Sequence, residues 1–312
     1  MNKIILIFII IIFSSNLFSA NKDVFRKSGF LTIENGKIKA NTEELTKIES
    51  PQEKVILIFN HGQEWTDKKS NDCLWWEDIV NLATFVKDNK VSGKEILLYS
   101  YCTDYLQGDS YKKNWQEKKK LIPYKGKTKM NKRVEVIAKL ADKFSTLGVP
   151  RNQIFLVGFS CGGWASLLIQ SQYPEKIAGA IALMPACYGW VSKNGIKKQT
   201  GYVPGFMPLR EKEINIMKNS NSLPALVFTN PDDIFEGKTS YWMKDISDLQ
   251  FIETPGKKNK KYEINGQKCF IHGADWKDPL RTMKRPGHYI WAADCFQNYF
   301  PDILHYLENR IS

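Results

Sequence analysis

Val157-Gly158-Phe159-Ser160-Cys161-Gly162-Gly163 joins an apolar run, Gln153 to Val157, to a helical pattern from about Gly162 to Gln172. A G-x-S-x-G pattern alone is weak, because glycine and serine are common. A strand before it and a helix after it are the context that an exposed nucleophilic serine requires. The serine has to sit on a sharp, strained turn, and flanking glycines let neighbouring backbone approach without a Cβ clash. The start of the following helix directs N–H groups toward developing negative charge. The competing reading is a glycine-rich turn with an idle serine. Ser160 is therefore the candidate nucleophile.

Lys54 to Phe59 and Glu95 to Tyr101 are short continuous apolar runs, as expected of strands covered on both faces. A helix is expected from about Leu74 to Lys87, with Trp75, Ile79, Leu82 and Val86 on one face. Another carries Ile137, Leu140, Ala141 and Phe144 and stops at Gly148 and Pro150. Strands follow at Ile177 to Leu183 and Ala225 to Thr229, and a last helix carries Phe296, Phe300, Ile303 and Leu307, its path disturbed by Pro301. Gly29 to Ala40, centred on Asn35-Gly36, reads as a hairpin at the sheet edge. Strands alternating with helices imply an α/β fold with a mostly parallel central sheet and helices on both faces. Ligands of such sheets bind beyond the carboxyl ends of the strands.

The chain has 312 residues with 43% apolar and 25% charged side chains, which excludes wholesale disorder, collagen and coiled coil. Its net charge of +12 comes mostly from lysine in a sequence also rich in Ile and Asn, a bias that does not require nucleic-acid binding. Lys3 precedes ten consecutive apolar residues, Ile4 to Phe13, and small residues end at Ala20. This describes a secretory leader over residues 1–20, with an uncleaved anchor as the alternative, ahead of a single domain over residues 21–312. The apolar run is short for a membrane span, and no later segment approaches one. Export to a periplasmic or external compartment lets Cys73, Cys102, Cys161, Cys187, Cys269 and Cys295 form disulfides. Cys73–Cys102, both after adjacent strands, and Cys269–Cys295 are the expected pairs; for Cys161, pairing and burial as a small apolar residue stay open.

The His61-Gly62 turn after one strand, the elbow at Ser160, the Tyr173-Pro174-Glu175 turn and the late Gly287-His288 together resemble the α/β-hydrolase superfamily over residues 52 to 310. Within it the chain is similar to serine esterases of the dienelactone-hydrolase-like and secreted type, although dienelactone hydrolases proper have cysteine where Ser160 stands. The resemblance implies the chain order nucleophile, acid, histidine. It places the acid at Asp233, with Asp232 as competitor, and the base at His288, with His272 as competitor. His61 then belongs to the oxyanion turn, and His305 lies inside the last helix. The resemblance also implies an oxyanion hole made by the backbone N–H groups of Gln63 and Cys161.

The expected activity is hydrolysis of a small or polymeric carboxylic ester through an acyl-enzyme. The alternatives are a peptidase or acyltransferase on the same triad, or a binding protein that keeps the fold without turnover. Neither a metal nor an organic cofactor is expected, since H-E-x-x-H, phosphate-binding and dinucleotide fingerprints are missing from the sequence. No nucleic acid or stable membrane insertion is expected either. Residues 187–222 form a long break between strands, expected to be a lid-like insertion in which Tyr188 and Trp190 line the substrate pocket. Lys118 to Arg133, with eight basic and no acidic residues, reads as solvated surface, the alternative being attraction of anionic substrates or an anionic envelope surface.

Overall fold

The computed structural model describes residues 28–34, 37–41, 43–62, 79–102, 129–188, 190–192, 195–197, 206–256, 262–269 and 287–311. In chain order the strands are β1 (Gly29–Glu34), β2 (Lys37–Asn41), β3 (Lys54–Asn60), β4 (Lys90–Val91), β5 (Lys94–Tyr101), β6 (Ile154–Phe159) and β7 (Gly179–Leu183). They continue with β8 (Trp190–Ser192), β9 (Gly195–Lys197), β10 (Ala225–Thr229), β11 (Leu249–Glu253), β12 (Glu263–Ile264) and β13 (Gln267–Lys268). The α-helices are α1 (Val80–Asp88), α2 (Lys129–Thr146), α3 (Cys161–Gln172), α4 (Phe206–Lys218) and α5 (Phe300–Ile311).

Among the described residues, nine strands form the main sheet in the order β11-β10-β7-β6-β3-β5-β1-β2, with β4 paired to β5. The pairs from β11 through to β5 are parallel. Only β1, β2 and β4 run antiparallel, β1 and β2 being the expected hairpin at the edge. The chain moves from β3 outward to β5, then returns to β6 on the other side of β3. That reversal opens the crevice in which open α/β sheets bind ligands.

Side chains of the central strands alternate between two cores, which explains why these strands read as unbroken apolar runs. Ile56, Ile58, Ile154, Leu156, Ala180 and Val227 face one core, covered by α2, α3 and α4. Leu57, Phe155, Val157, Ile181, Leu226 and Phe228 face the other, covered by α1 and α5. Burial of roughly 25 cal/mol per Å² on both faces makes this sheet the main source of stability.

Two expectations are corrected. The break at 187–222 is not wholly an inserted lid: α4 occupies residues 206–218 and is the crossover helix between the adjacent parallel strands β7 and β10. Pro301 does not disturb a longer helix. A 3-10 segment, Asp294–Tyr299, precedes α5, and Pro301 sits in the first turn of α5, where its missing N–H is not needed. The edge strand β11 was not anticipated; its residues are only half-buried or exposed, so it lacks the unbroken apolar signature.

Cys161–Cys187 and Cys269–Cys295 are disulfides. The second is the expected pair, and the first settles the open question at Cys161. Cys102 is also disulfide-bonded, while its expected partner Cys73 lies outside the described residues. Each closed loop spans 26 residues, and cross-links of that length stabilise by roughly 3 kcal/mol. Non-reducing peptide mapping of the native protein should recover the 161–187 and 269–295 cross-linked peptides. Free thiols at these four positions would contradict the fold as described.

Candidate active site

Ser160 lies between β6 and α3 with φ 54° and ψ −123°, a conformation that costs a non-glycine residue roughly 1–3 kcal/mol. The surrounding backbone imposes it. A Cβ on Gly162 would stand 1.9 Å from the Asn60 carbonyl oxygen, and one on Gly158 would stand 2.3 Å from the Gly162 carbonyl oxygen. Both glycines are thus required by close approach of β3, β6 and α3. Ser160 N–H donates to the Leu183 carbonyl (3.0 Å), and the Ser160 carbonyl accepts from Trp164 (3.0 Å) and Ala186 (3.2 Å). The elbow is therefore tied to the segment after β7 as well as to its own helix.

The structure brings His288 and Asp233 to this serine. His288 Nε2 lies 3.0 Å from Ser160 Oγ, and His288 Nδ1 lies 2.8 Å from Asp233 Oδ2. The carboxylate selects the tautomer that carries hydrogen on Nδ1, which leaves Nε2 able to accept a proton from the hydroxyl. The other oxygen of Asp233 accepts the Phe235 N–H at 2.8 Å, and the carboxyl group is buried. Phe159 and Phe235 flank the imidazole, with ring centroids 4.8 and 4.5 Å away. The competitor Asp232 faces away from the histidine, accepting the Tyr262 hydroxyl at 3.3 Å. Gly287 makes the contact possible, because a Cβ there would meet the Asp232 backbone at 2.7 Å. His272 lies outside the described residues.

Cys161 opens α3, so its N–H stands at the positive end of that helix, next to Ser160. The other expected donor, Gln63, lies outside the described residues. Its neighbour His61 is buried, with Nδ1 2.6 Å from the Gly62 carbonyl oxygen. The His61 carbonyl accepts from Arg133 Nη1 at 3.0 Å. Arg133 is 4% exposed, which corrects its reading as part of a solvated basic surface. It sits on α2 and fixes the turn from behind.

Tyr188, expected in the pocket wall, is instead a core side chain. Its ring packs edge-on against Trp164, and its hydroxyl donates to Glu213 Oε1 at 2.9 Å. Trp190 begins β8, which pairs with β9. Sequence reasoning also missed the polar residues that hold the loops. Arg210 of α4 donates twice to Glu236, three residues after Asp233 (Nε–Oε1 3.0 Å, Nη2–Oε2 2.6 Å). Asn81 of α1 donates to the Trp291 and Ala293 carbonyls just beyond His288 (3.0 and 2.6 Å). Charge-assisted pairs and buried amides of this kind leave no signature of hydrophobic periodicity. Among the described residues, no three His, Cys, Asp or Glu side chains are gathered to hold a metal ion.

Glu213 itself is buried, which pushes its carboxyl up to about 7, against the donated hydrogen bonds of Tyr188 and Trp164. A folded-state value above the unfolded one means that the native protein binds the extra proton between about pH 4.5 and 7. This group therefore favours folding most below pH 4.5, and its contribution falls by about 3 kcal/mol as pH rises to 7. Urea titrations of wild type and Glu213→Gln across that range should give a stability difference that moves in favour of the variant with rising pH. A constant difference would show that Glu213 is ionised throughout.

A family model described as phospholipase/carboxylesterase matches residues 99–206. No curated protein sequence matches the chain. Similar solved structures include a phospholipase/carboxylesterase from Dyadobacter fermentans (13% identity, 83% of this chain, 97% of that one, TM-score 0.37). A Pyrobaculum calidifontis esterase is similar at 11% identity, covering 91% of this chain and 86% of its own, with TM-score 0.48. Est1E from Butyrivibrio proteoclasticus is similar at 14% identity, covering 67% and 81%, with TM-score 0.40. The family match spans the elbow at Ser160, and the mostly parallel sheet flanked by helices, with the serine between strand and helix, is an α/β fold of the hydrolase type.

Proposed function

We propose that this chain is an exported serine hydrolase that cleaves carboxylic esters. The observation that carries the reading is the unbroken run of contacts from Asp233 through His288 to Ser160 Oγ, at 2.8 and 3.0 Å, ending on a strained elbow. In this reading Ser160 Oγ attacks the acyl carbon while His288 Nε2 takes the hydroxyl proton. Asp233 holds the imidazole in register and stabilises the imidazolium. The tetrahedral oxyanion is met by the N–H groups of Cys161 and Gln63. Collapse of that intermediate breaks the ester C–O bond, and His288 returns the proton to the departing alkoxide. Water, deprotonated by the same imidazole, then attacks the acyl-enzyme; the C–Oγ bond breaks, the acid leaves, and His288 returns the proton to Ser160 Oγ. The matched phospholipase/carboxylesterase model supports an ester as substrate.

Export is supported by Lys3, the apolar run Ile4 to Phe13 and the disulfides. No described helix is long and apolar enough to cross a membrane.

Turnover of p-nitrophenyl esters of graded acyl length tests the reading and ranks the acyl groups. Ser160→Ala should lower kcat by about three orders of magnitude or more, and His288→Ala nearly as much, because the residues act as a unit. Asp233→Asn should cost about two orders or more by favouring the wrong tautomer. Asp232→Asn, whose side chain meets Tyr262 rather than His288, should stay within a fewfold of wild type. With circular dichroism showing each variant folded, full activity in Ser160→Ala would overturn the mechanism.

A further inference from the structure

The segment that follows β7 wraps around the nucleophile elbow. Its Leu183 carbonyl accepts Ser160 N–H, and its Ala186 N–H donates to the Ser160 carbonyl. The Ala186 carbonyl lies 3.2 Å from Ser160 Oγ, close enough to compete with His288 Nε2 for the hydroxyl proton. One residue later Cys187 is covalently joined to Cys161, the residue after the nucleophile. Both sulfur-bearing residues are buried, so the cross-link belongs to the interior of the site rather than to its surface. Tyr188, next in the chain, is fastened through its hydroxyl to the buried Glu213 of α4, and Glu213 also accepts Trp164 Nε1 of α3 at 2.7 Å.

This is more restraint than the fold requires. The strand β7 is already held by β6 and β10, and α3 is already packed on the sheet. The extra ties converge on the Cys161 N–H, which must keep its position relative to Ser160 Oγ while charge moves. A displacement of about 1 Å at such a group costs on the order of 100-fold in rate.

We propose that the Cys161–Cys187 disulfide, backed by the Tyr188–Glu213 anchor, is a positioning element of the candidate active site. It fixes the Cys161 N–H toward the developing oxyanion. This rests on the serine-hydrolase reading above. The cross-link touches no substrate and takes part in no chemical step. Its effect falls on the transition state, where the oxyanion forms, and not on ground-state binding of the ester.

The test is ester kinetics of full-length protein carrying Cys161→Ala with Cys187→Ala, measured well below its unfolding temperature, with circular dichroism as the check on folding. The expected result is a kcat lower by about 10- to 100-fold with KM within about twofold of wild type. A folded double variant with unchanged kcat, or one whose loss lies in KM, would overturn the proposal and leave the cross-link a stabiliser only. If the double variant does not fold, Tyr188→Phe decides the matter, since it keeps the ring and removes only the hydroxyl held by Glu213. It should lower kcat about 3- to 10-fold at constant KM, and an unchanged kcat would overturn the proposal. Turnover by wild type with an unaffected variant defeats this inference alone. Absence of ester turnover in wild type defeats the serine-hydrolase reading and this proposal with it.

Discussion

The approach of Gly162 to the carbonyl of Asn60 is the constraint on which the rest of the site depends. No side chain fits between the end of β3 and the start of α3, since a Cβ would stand 1.9 Å from that oxygen. The turn between β6 and α3 must therefore close sharply, and the residue at its tip takes φ 54° although it is not glycine. That strain is sustained because the flanking strands are fully buried and have no room to relax. The same closeness aims Ser160 Oγ out of the sheet and places the first peptide of α3 beside it. Each other candidate residue arrives on a loop that leaves the carboxyl end of a strand or precedes the last helix.

Those loops are held from outside by polar groups, one for each. Arg133 grips the turn after β3, Arg210 grips the loop after β10 through Glu236, and Asn81 with Cys269–Cys295 grips the chain beyond His288. A loop carries unsatisfied backbone groups and few apolar side chains, so packing alone positions it poorly. A buried cation or amide that bonds backbone or carboxylate oxygen fixes both direction and distance. Removing one partner strips the other of a short buried bond, which makes these positions costly to change.

How much was legible follows from the same distinction. The strands β3, β5, β6, β7 and β10 stood out because both faces are covered, and Ser160 stood out because strand, glycines and helix coincide around it. The helix α4 did not, because part of its buried face is Arg210 and Glu213, which look solvent-facing until their partners are known. Arg133 was hidden in a basic run for the same reason. Asp232 and Asp233 could not be separated by spacing. They are told apart by Asn230, whose side-chain oxygen accepts the Asp232 N–H, and by Phe235, whose N–H turns Asp233 toward the histidine. Pairing of Ser160 with a histidine 128 residues away is a property of the folded sheet, and only the resemblance to a family pointed to it in advance.

Whether Ser160 is a nucleophile activated by His288 can be tested by covalent trapping without knowing the substrate. The native protein is treated with a fluorophosphonate, and the adduct is located by mass spectrometry of intact protein and peptides. One adduct per chain is expected, on the peptide containing Ser160, with the rate of labelling reduced by about 100-fold or more in His288→Ala. Unlabelled protein, an adduct on another residue, or equal labelling rates with and without His288 would contradict that activation.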